Sequence, residues 1–192
     1  NVELKLMNGD YHDVEQWLSD GSCDLGFVAL PTKQRGRVTA LLEDRLLAVV
    51  PKDHRLASLP RFPIKEVEHE PFISLLETSD HDARRALEAA GVTPNIRYTT
   101  KDDYAIIAMV EQGLGVSIMP ELLLSGRSDN VRVMELTPPA SRTIGLCLPD
   151  ADRAGPATLR FADCVSDWVR EHYSRLQRSE ERRVGKECLE WC

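Results

Sequence analysis

Asp102-Asp103-Tyr104-Ala105-Ile106-Ile107-Ala108-Met109-Val110-Glu111-Gln112-Gly113-Leu114-Gly115-Val116-Ser117-Ile118-Met119-Pro120 reads as a buried helix, a glycine stop and a buried strand that ends at proline. The order of these parts decides the fold class. A loop that cradles phosphate places its glycines after a strand and before a helix, so that the helix N-terminus faces the anion. Here the glycines follow the helix. Gly113 is therefore expected just past the helix end, in the left-handed conformation that glycine adopts without a Cβ penalty. Nucleotide binding through Gly113 and Gly115 is set aside.

Outward from that stretch, helix and strand alternate. Val2, Leu4 and Leu6 alternate with polar residues, which predicts a strand to about Met7. Asp10 can cap a helix that carries Tyr11, Val14, Trp17 and Leu18 on one face and stops at Gly21. Residues 25 to 30 are a nearly continuous apolar run, as expected of a parallel strand covered on both faces. Together they make a βαβ unit, which should be right-handed. Residues 72 to 76 begin a second such unit. Ser79 or Asp80 caps a helix with Ala83, Ala86, Leu87 and Ala90 in one stripe, Gly91 and Pro94 end it, and residues 96 to 99 form the next strand. Thr100-Lys101-Asp102-Asp103 has the spacing of a capping box, with Asp in place of the usual Glu or Gln. A final helix from about Pro156 to Tyr173 sets Phe161, Val165, Trp168 and Val169 on one face. Strands alternating with helices imply an α/β fold with mostly parallel sheets.

Composition bounds the function. The 192 residues are 42% hydrophobic and 29% charged, enough apolar material for a core. A net charge of −7 argues against this segment gripping a nucleic-acid backbone, which needs clustered cations. No apolar run approaches the ~18 residues of a membrane span, and no basic-then-apolar leader is present. The chain starts at Asn1 inside an apolar-alternating segment without an initiator Met, so we expect it to be cut off upstream. Cys23, Cys147 and Cys164 fit no metal-ligand spacing and read as reduced core thiols of a cytoplasmic protein, while Cys188 and Cys192 lack histidine partners for zinc. The segment from Arg178 to Cys188 resembles the in-frame translation of a sequencing-adapter oligonucleotide. We therefore expect residues 178 to 192 to be a non-native tail.

The opening stretch also carries a family resemblance. It looks like the C-terminal effector-binding (substrate-binding) domain of LysR-type transcriptional regulators, in which a helix ending in Val-x-x-Gly-Leu-Gly runs into a short strand and Pro. Further matches fall in the family's order: Asn8-Gly9-Asp10 through Gly21-Ser22-Cys23-Asp24-Leu25-Gly26-Phe27-Val28, then Val49-Val50-Pro51-Lys52-Asp53-His54-Arg55-Leu56-Ala57, Pro71-Phe72-Ile73-Ser74 and Arg142-Thr143-Ile144-Gly145-Leu146. The resemblance covers roughly residues 1 to 175. It implies two Rossmann-like subdomains joined by two hinge strands, a type 2 periplasmic-binding-protein-like fold. A discontinuous first subdomain (1 to 51 plus 143 to 175) lacks the family's opening strand and helix, and residues 52 to 142 form the second. Segments 46 to 51 and 143 to 149 read as the crossings.

Catalysis finds little support. The five histidines show no His-x-x-x-His spacing, and no Gly-x-Ser-x-Gly elbow is present. Ser79, His81 and Asp82 include triad residue types, but at a helix start they are more simply capping groups. His54 reads as a loop residue near the hinge. Binding has better support, because ligands of open α/β sheets collect outside the carboxyl ends of strands. Those ends put forward Leu30, Leu76, Glu77, Thr78, Ser79, Thr99 and Thr100 as effector contacts; the hydroxyls either meet a ligand or only cap their own helices. The resemblance places the family's effector loop after residues 72 to 76. Glu77, Asp80, Asp102 and Asp103 would repel an anion, which counts against a carboxylate effector and leaves a cationic or neutral polar metabolite open. The reading is a cytoplasmic, oligomeric effector sensor that needs no cofactor or metal and binds a metabolite in the cleft between its subdomains. It would reach DNA only through an upstream winged helix-turn-helix. Tyr11, Trp17 and the helix from Asp10 are candidates for a partner-facing surface, with core packing an equal explanation of Trp17. The alternatives are a secreted solute-binding protein of the same fold, and a dehydratase acting on prephenate-like acids. Such dehydratases carry a Thr-Arg-Phe motif, which Thr158-Leu159-Arg160-Phe161 breaks.

Overall fold

The computed structural model describes residues 2–76, 82–124 and 130–189, with residues 174–189 described by backbone alone. In chain order the elements are α1 (Tyr11–Asp20), β1 (Gly26–Leu30), β2 (Arg37–Pro51), β3 (Phe62–Pro63), a 3-10 turn (Ile64–His69), β4 (Pro71–Leu75), α2 (Asp82–Ala89), β5 (Asn95–Thr100), α3 (Asp103–Glu111), β6 (Ser117–Pro120), α4 (Glu121–Leu124), β7 (Val131–Leu148) and α5 (Pro156–Leu189). They divide into two compact units. Unit 1 holds Asn1–Gly9, Asp13–Leu42 and Thr143–Cys192; unit 2 holds Asp10–His12 and Glu43–Arg142. The chain passes from one to the other within the long strands β2 and β7. Among the described residues no helix is long and apolar enough to cross a membrane.

Unit 2 is organised by the apolar run of β2. Alternate side chains leave a strand on opposite faces, and here both faces are covered. Leu46, Ala48 and Val50 pack with Phe62, Ile64, Phe72, Leu87 and Ile118. Leu47 and Val49 pack on the other side with Ile73, Ile106, Val110, Met119 and Leu124. Each such side chain taken fully out of water contributes about 1.5–3 kcal/mol before entropic costs. β2 pairs with β6 antiparallel, Leu46 opposite Pro120 through Val49 opposite Ser117. β4 pairs with β5 in parallel and touches the β6 side through the Phe72–Val116 bridge.

The opening stretch folds as read. Asp102 caps α3, its carboxylate accepting the Tyr104 N–H at 2.9 Å. Gly113 has φ +73°. The Gly113 N–H donates to the Val110 carbonyl at 2.9 Å and the Leu114 N–H to the Met109 carbonyl at 3.1 Å, the paired bonds of a glycine-terminated helix. Gly115 serves a different need: a Cβ there would lie 2.3 Å from the Pro71 carbonyl oxygen, so only glycine lets β4 and this segment approach. The capping box is corrected by one detail. Thr100 is not the cap; its Oγ1 accepts the Asp102 N–H at 3.1 Å and so orients the residue that is.

Unit 1 departs further from the reading. No strand forms at residues 2–7, where Val2, Leu4 and Leu6 are 75%, 69% and 86% exposed. Alternation predicts a strand only where a neighbouring edge supplies hydrogen bonds, and among the described residues none pairs with it. β1 is antiparallel to β7, Gly26 opposite Cys147 through Leu30 opposite Thr143, where a parallel strand was expected. An apolar run reports burial rather than direction, and even the burial is partial, since Phe27 is exposed. Leu18 packs with Val28 and Cys147 as the core of this side. α5 runs on to Leu189 rather than ending near Tyr173. Its buried residues are Ala162 and Val169, while Phe161 and Trp168 stand exposed.

The two glycines should separate by mechanism in urea denaturation. Gly113→Ala meets no atom within 4 Å and pays only for its left-handed backbone, so it should cost about 1–2 kcal/mol. Gly115→Ala drives a methyl group into backbone and should cost more.

Candidate functional site

β4 and β5 run parallel, so their carboxyl ends fall together. Ser74 lies opposite Thr99 and Leu75 opposite Thr100, and the Leu76 N–H donates to the Thr100 carbonyl at 2.9 Å. Of the effector contacts read from the sequence, Leu76, Thr99 and Thr100 thus share one strand end in unit 2. Thr99 is exposed. The Thr100 oxygen serves as an acceptor for Asp102 and its hydroxyl hydrogen can still be donated. Leu30 lies in unit 1 at the end of β1, half-buried against Leu18, Val28 and Cys147. Glu77, Thr78 and Ser79, with Asp80 and His81, fall outside the described residues.

The sequence reading missed the group that dominates the electrostatics of unit 2. Arg142 on β7 is largely buried and uses all three nitrogens of its guanidinium. Nε and Nη2 reach Asp44 Oδ2 on β2 at 2.9 and 2.8 Å. Nη1 reaches the Tyr11 hydroxyl oxygen at 2.9 Å and Asp82 Oδ2 at 3.2 Å. The Tyr11 hydroxyl donates to that same Asp82 oxygen, while Asp82 Oδ1 takes Arg85 Nη2 at 2.7 Å. Asp44 Oδ1 accepts the Leu122 N–H in the first turn of α4 at 3.1 Å. The carboxylates are deeply set: Asp44 is 3% and Asp82 7% exposed. Charges this far from water persist only when paired and hydrogen-bonded. The Tyr11 hydroxyl is therefore held in a polar cluster rather than on a packed apolar face.

Helix starts converge on this cluster. Tyr11 opens α1, Asp82 opens α2 and Asp103 opens α3. Burial pushes the Tyr11 phenol up, opposed by Arg142 and reinforced by Asp82, so the hydroxyl keeps its proton and remains a donor. Burial also raises the Asp44 carboxyl against the pull of Arg142. Asp103 is raised by burial too, with Arg142 opposing and Asp102 adding. Burial works against the Arg142 charge, but Tyr11, Asp44 and Asp82 outweigh it and hold the guanidinium protonated. The sequence offered a faint signal: Asp44 and Arg142 stand just ahead of the apolar runs of residues 46 to 50 and 144 to 148, although each is flanked by polar residues.

An apolar groove of about 400 Å³ in unit 1, lined by Phe27, Leu41, Ile144, Val165 and Trp168, offers few groups to orient a polar ligand. Among the described residues no cluster of His, Cys, Asp or Glu is placed to hold a metal ion. Of the three thiols expected in the core, only Cys147 is buried, and burial raises its pKa. Cys23 is half-buried with its Sγ 3.5 Å from Met7 Sδ, and Cys164 is exposed.

Comparison with known proteins places this geometry in context. The profile of the family described as LysR substrate binding domain matches residues 1–170. The chain is 28% identical over 168 residues to the uncharacterised HTH-type transcriptional regulator YvbU of Bacillus subtilis (strain 168), a match that covers 86% of this chain and 57% of YvbU. The chain thus spans about half the length of that relative. Among solved structures, the CcmR regulatory domain of Synechocystis PCC6803 in complex with 2-PG superposes with a TM-score of 0.75 at 19% identity, covering 85% of this chain and 81% of that one. The effector-binding domain of QuiR in complex with shikimate gives 0.75 at 22% identity, covering 85% and 80%. At such identities the likeness shows the fold, which is the α/β, type 2 periplasmic-binding-protein-like arrangement expected from the sequence.

Two substitutions test the buried cluster. Asp44→Asn exchanges the acceptor of two Arg142 N–H bonds for a weaker neutral one and should cost about 1–2 kcal/mol in mild acid, the difference from wild type shrinking towards neutral pH. Tyr11→Phe removes one hydroxyl and should cost about 1 kcal/mol. The folded Asp44 carboxyl holds its proton more tightly than the unfolded one. Its contribution therefore declines as pH rises from the ordinary carboxylate value through the raised folded value. Urea unfolding of both proteins across a pH series should show that decline in the wild type and its loss in Asp44→Asn.

Proposed function

The chain belongs to the LysR substrate-binding domain family, and from that premise we propose that it is the effector-sensing module of a LysR-type bacterial transcription factor. The module takes a small polar metabolite at the carboxyl ends of β4 and β5, with Leu76, Glu77, Thr78, Ser79, Thr99 and Thr100 as contacts from unit 2. The observation that carries the reading is that the two parallel strand ends fall together, with Thr99 exposed and Thr100 beside Leu75, just ahead of α3. The solved relatives lend support: CcmR's regulatory domain was captured with 2-PG and QuiR's effector-binding domain with shikimate.

The rest of the regulator follows from its relatives. They are HTH-type proteins, so DNA is met by an N-terminal helix-turn-helix and not by this acidic module, whose charge of −7 would repel a phosphate backbone. The complete protein is a cytoplasmic oligomer, and its chemistry is binding rather than catalysis. Differential affinity of the effector for two settings of the module supplies the signal, an effect typically of about 1–3 kcal/mol.

A thermal-shift screen of neutral and amine-bearing metabolites tests this. A true effector at about 100 times its Kd adds about 2.7 kcal/mol to the folded state. Thr99→Val and Thr78→Ala should each weaken the hit about tenfold, the loss expected for one hydrogen bond. Affinity unchanged in both would remove this strand end from the site, and a screen without any stabilising compound would count against the sensing role.

A further inference from the structure

The Arg142 cluster has the construction of an anion site that already contains its anion. Asp82 offers both carboxylate oxygens to cationic or polar donors: Oδ2 to the Tyr11 hydroxyl and to Arg142 Nη1 at 3.2 Å, Oδ1 to Arg85 Nη2 at 2.7 Å. Two guanidiniums and a phenol around one carboxylate are what a protein uses to hold a ligand carboxylate or phosphate. The first turn of α2, where Asp82 sits, favours negative charge as well. Here the bound anion is part of the chain, and it is only 7% exposed.

We propose that Asp82 is a specificity-determining residue: its carboxylate fills the cradle formed by Arg142, Tyr11 and Arg85, so that the module accepts neutral or cationic effectors and refuses anionic ones. The inference rests on the effector-sensing reading above and names the ligand class for it. Arg142 has no nitrogen to spare, because Nε and Nη2 are committed to Asp44 at 2.9 and 2.8 Å. Among the described residues formal charge points the same way, with two cations, Arg142 and Arg85, beside three carboxylates, Asp44, Asp82 and Asp103. Asp82 and Asp103 open the helices that follow the proposed contacts, so an incoming anion meets a net negative field there. Neutralising Asp82 removes one of those negative charges from the cradle, so that it no longer opposes an anion there.

The test uses the whole 192-residue chain and inorganic phosphate as the probe, against sodium chloride at matched ionic strength. Binding is read by titration calorimetry and by saturable thermal shift. The wild type should show no saturable phosphate binding. Asp82→Asn, and independently Asp82→Ser, should bind phosphate at least about tenfold more tightly than the wild type. Folded variants without that gain would overturn the proposal. Saturable phosphate binding by the unmodified chain would overturn it too, whether or not the variants fold. The outcome is separable from the sensing role: a metabolite screen can fail while Asp82→Asn gains phosphate, and a neutral effector can bind while it does not.

Discussion

A guanidinium cannot leave water without anions to meet it, and the burial of Arg142 therefore dictates what surrounds it. Asp44 must come to its side on the adjacent long strand, and Asp82 and Tyr11 must bring the starts of two helices to the same point. Asp82 meets Arg85 as well as Arg142, whereas Asp44 meets Arg142 and the Leu122 N–H, so the two carboxylates are unequal. Asp44 and Arg142 form the obligatory pair. The Asp82 side is the part that could be altered with the least structural loss. That asymmetry separates a structural tie, Asp44 with Arg142, from the side on which the charge filter is proposed.

Around this polar tie, unit 2 is held by apolar packing on both faces of β2. Leu46, Ala48 and Val50 face one cluster and Leu47 and Val49 the other, so a slip of one residue would exchange the two sets. Such a slip would carry Asp44 off its partner as well. Packing and charge thus specify the same register, a consistency between levels that disfavours competing arrangements.

Much of unit 2 was legible because its signals are local. Gly113 follows an apolar helix at the position where a left-handed residue is needed, and Pro120 closes a strand whose neighbours alternate with β2. The strand ends at Leu76 and Thr99–Thr100 could be read because parallel strands bring their carboxyl ends together. Val2, Leu4 and Leu6 were misread because alternation records a capacity for pairing and says nothing about whether a partner strand is at hand. Direction was illegible in β1 for a similar reason, since hydropathy reports coverage alone. Arg142 escaped notice because its partners lie 98 residues away at Asp44 and 60 away at Asp82. No window along the chain contains them. A charge at the head of each apolar run was the trace they left.

The uneven burial of the thiols also sorts them by reactivity. Alkylating reagents consume the thiolate, and burial keeps Cys147 in its neutral, sequestered form, whereas Cys164 on α5 stands open to solvent. Once Cys188 and Cys192 are replaced, maleimide chemistry should label Cys164 ahead of Cys23 and Cys147. A fluorophore there would sit on the α5 surface that lines the Trp168 groove, a spectroscopic handle on unit 1 that leaves the charged cluster of unit 2 untouched.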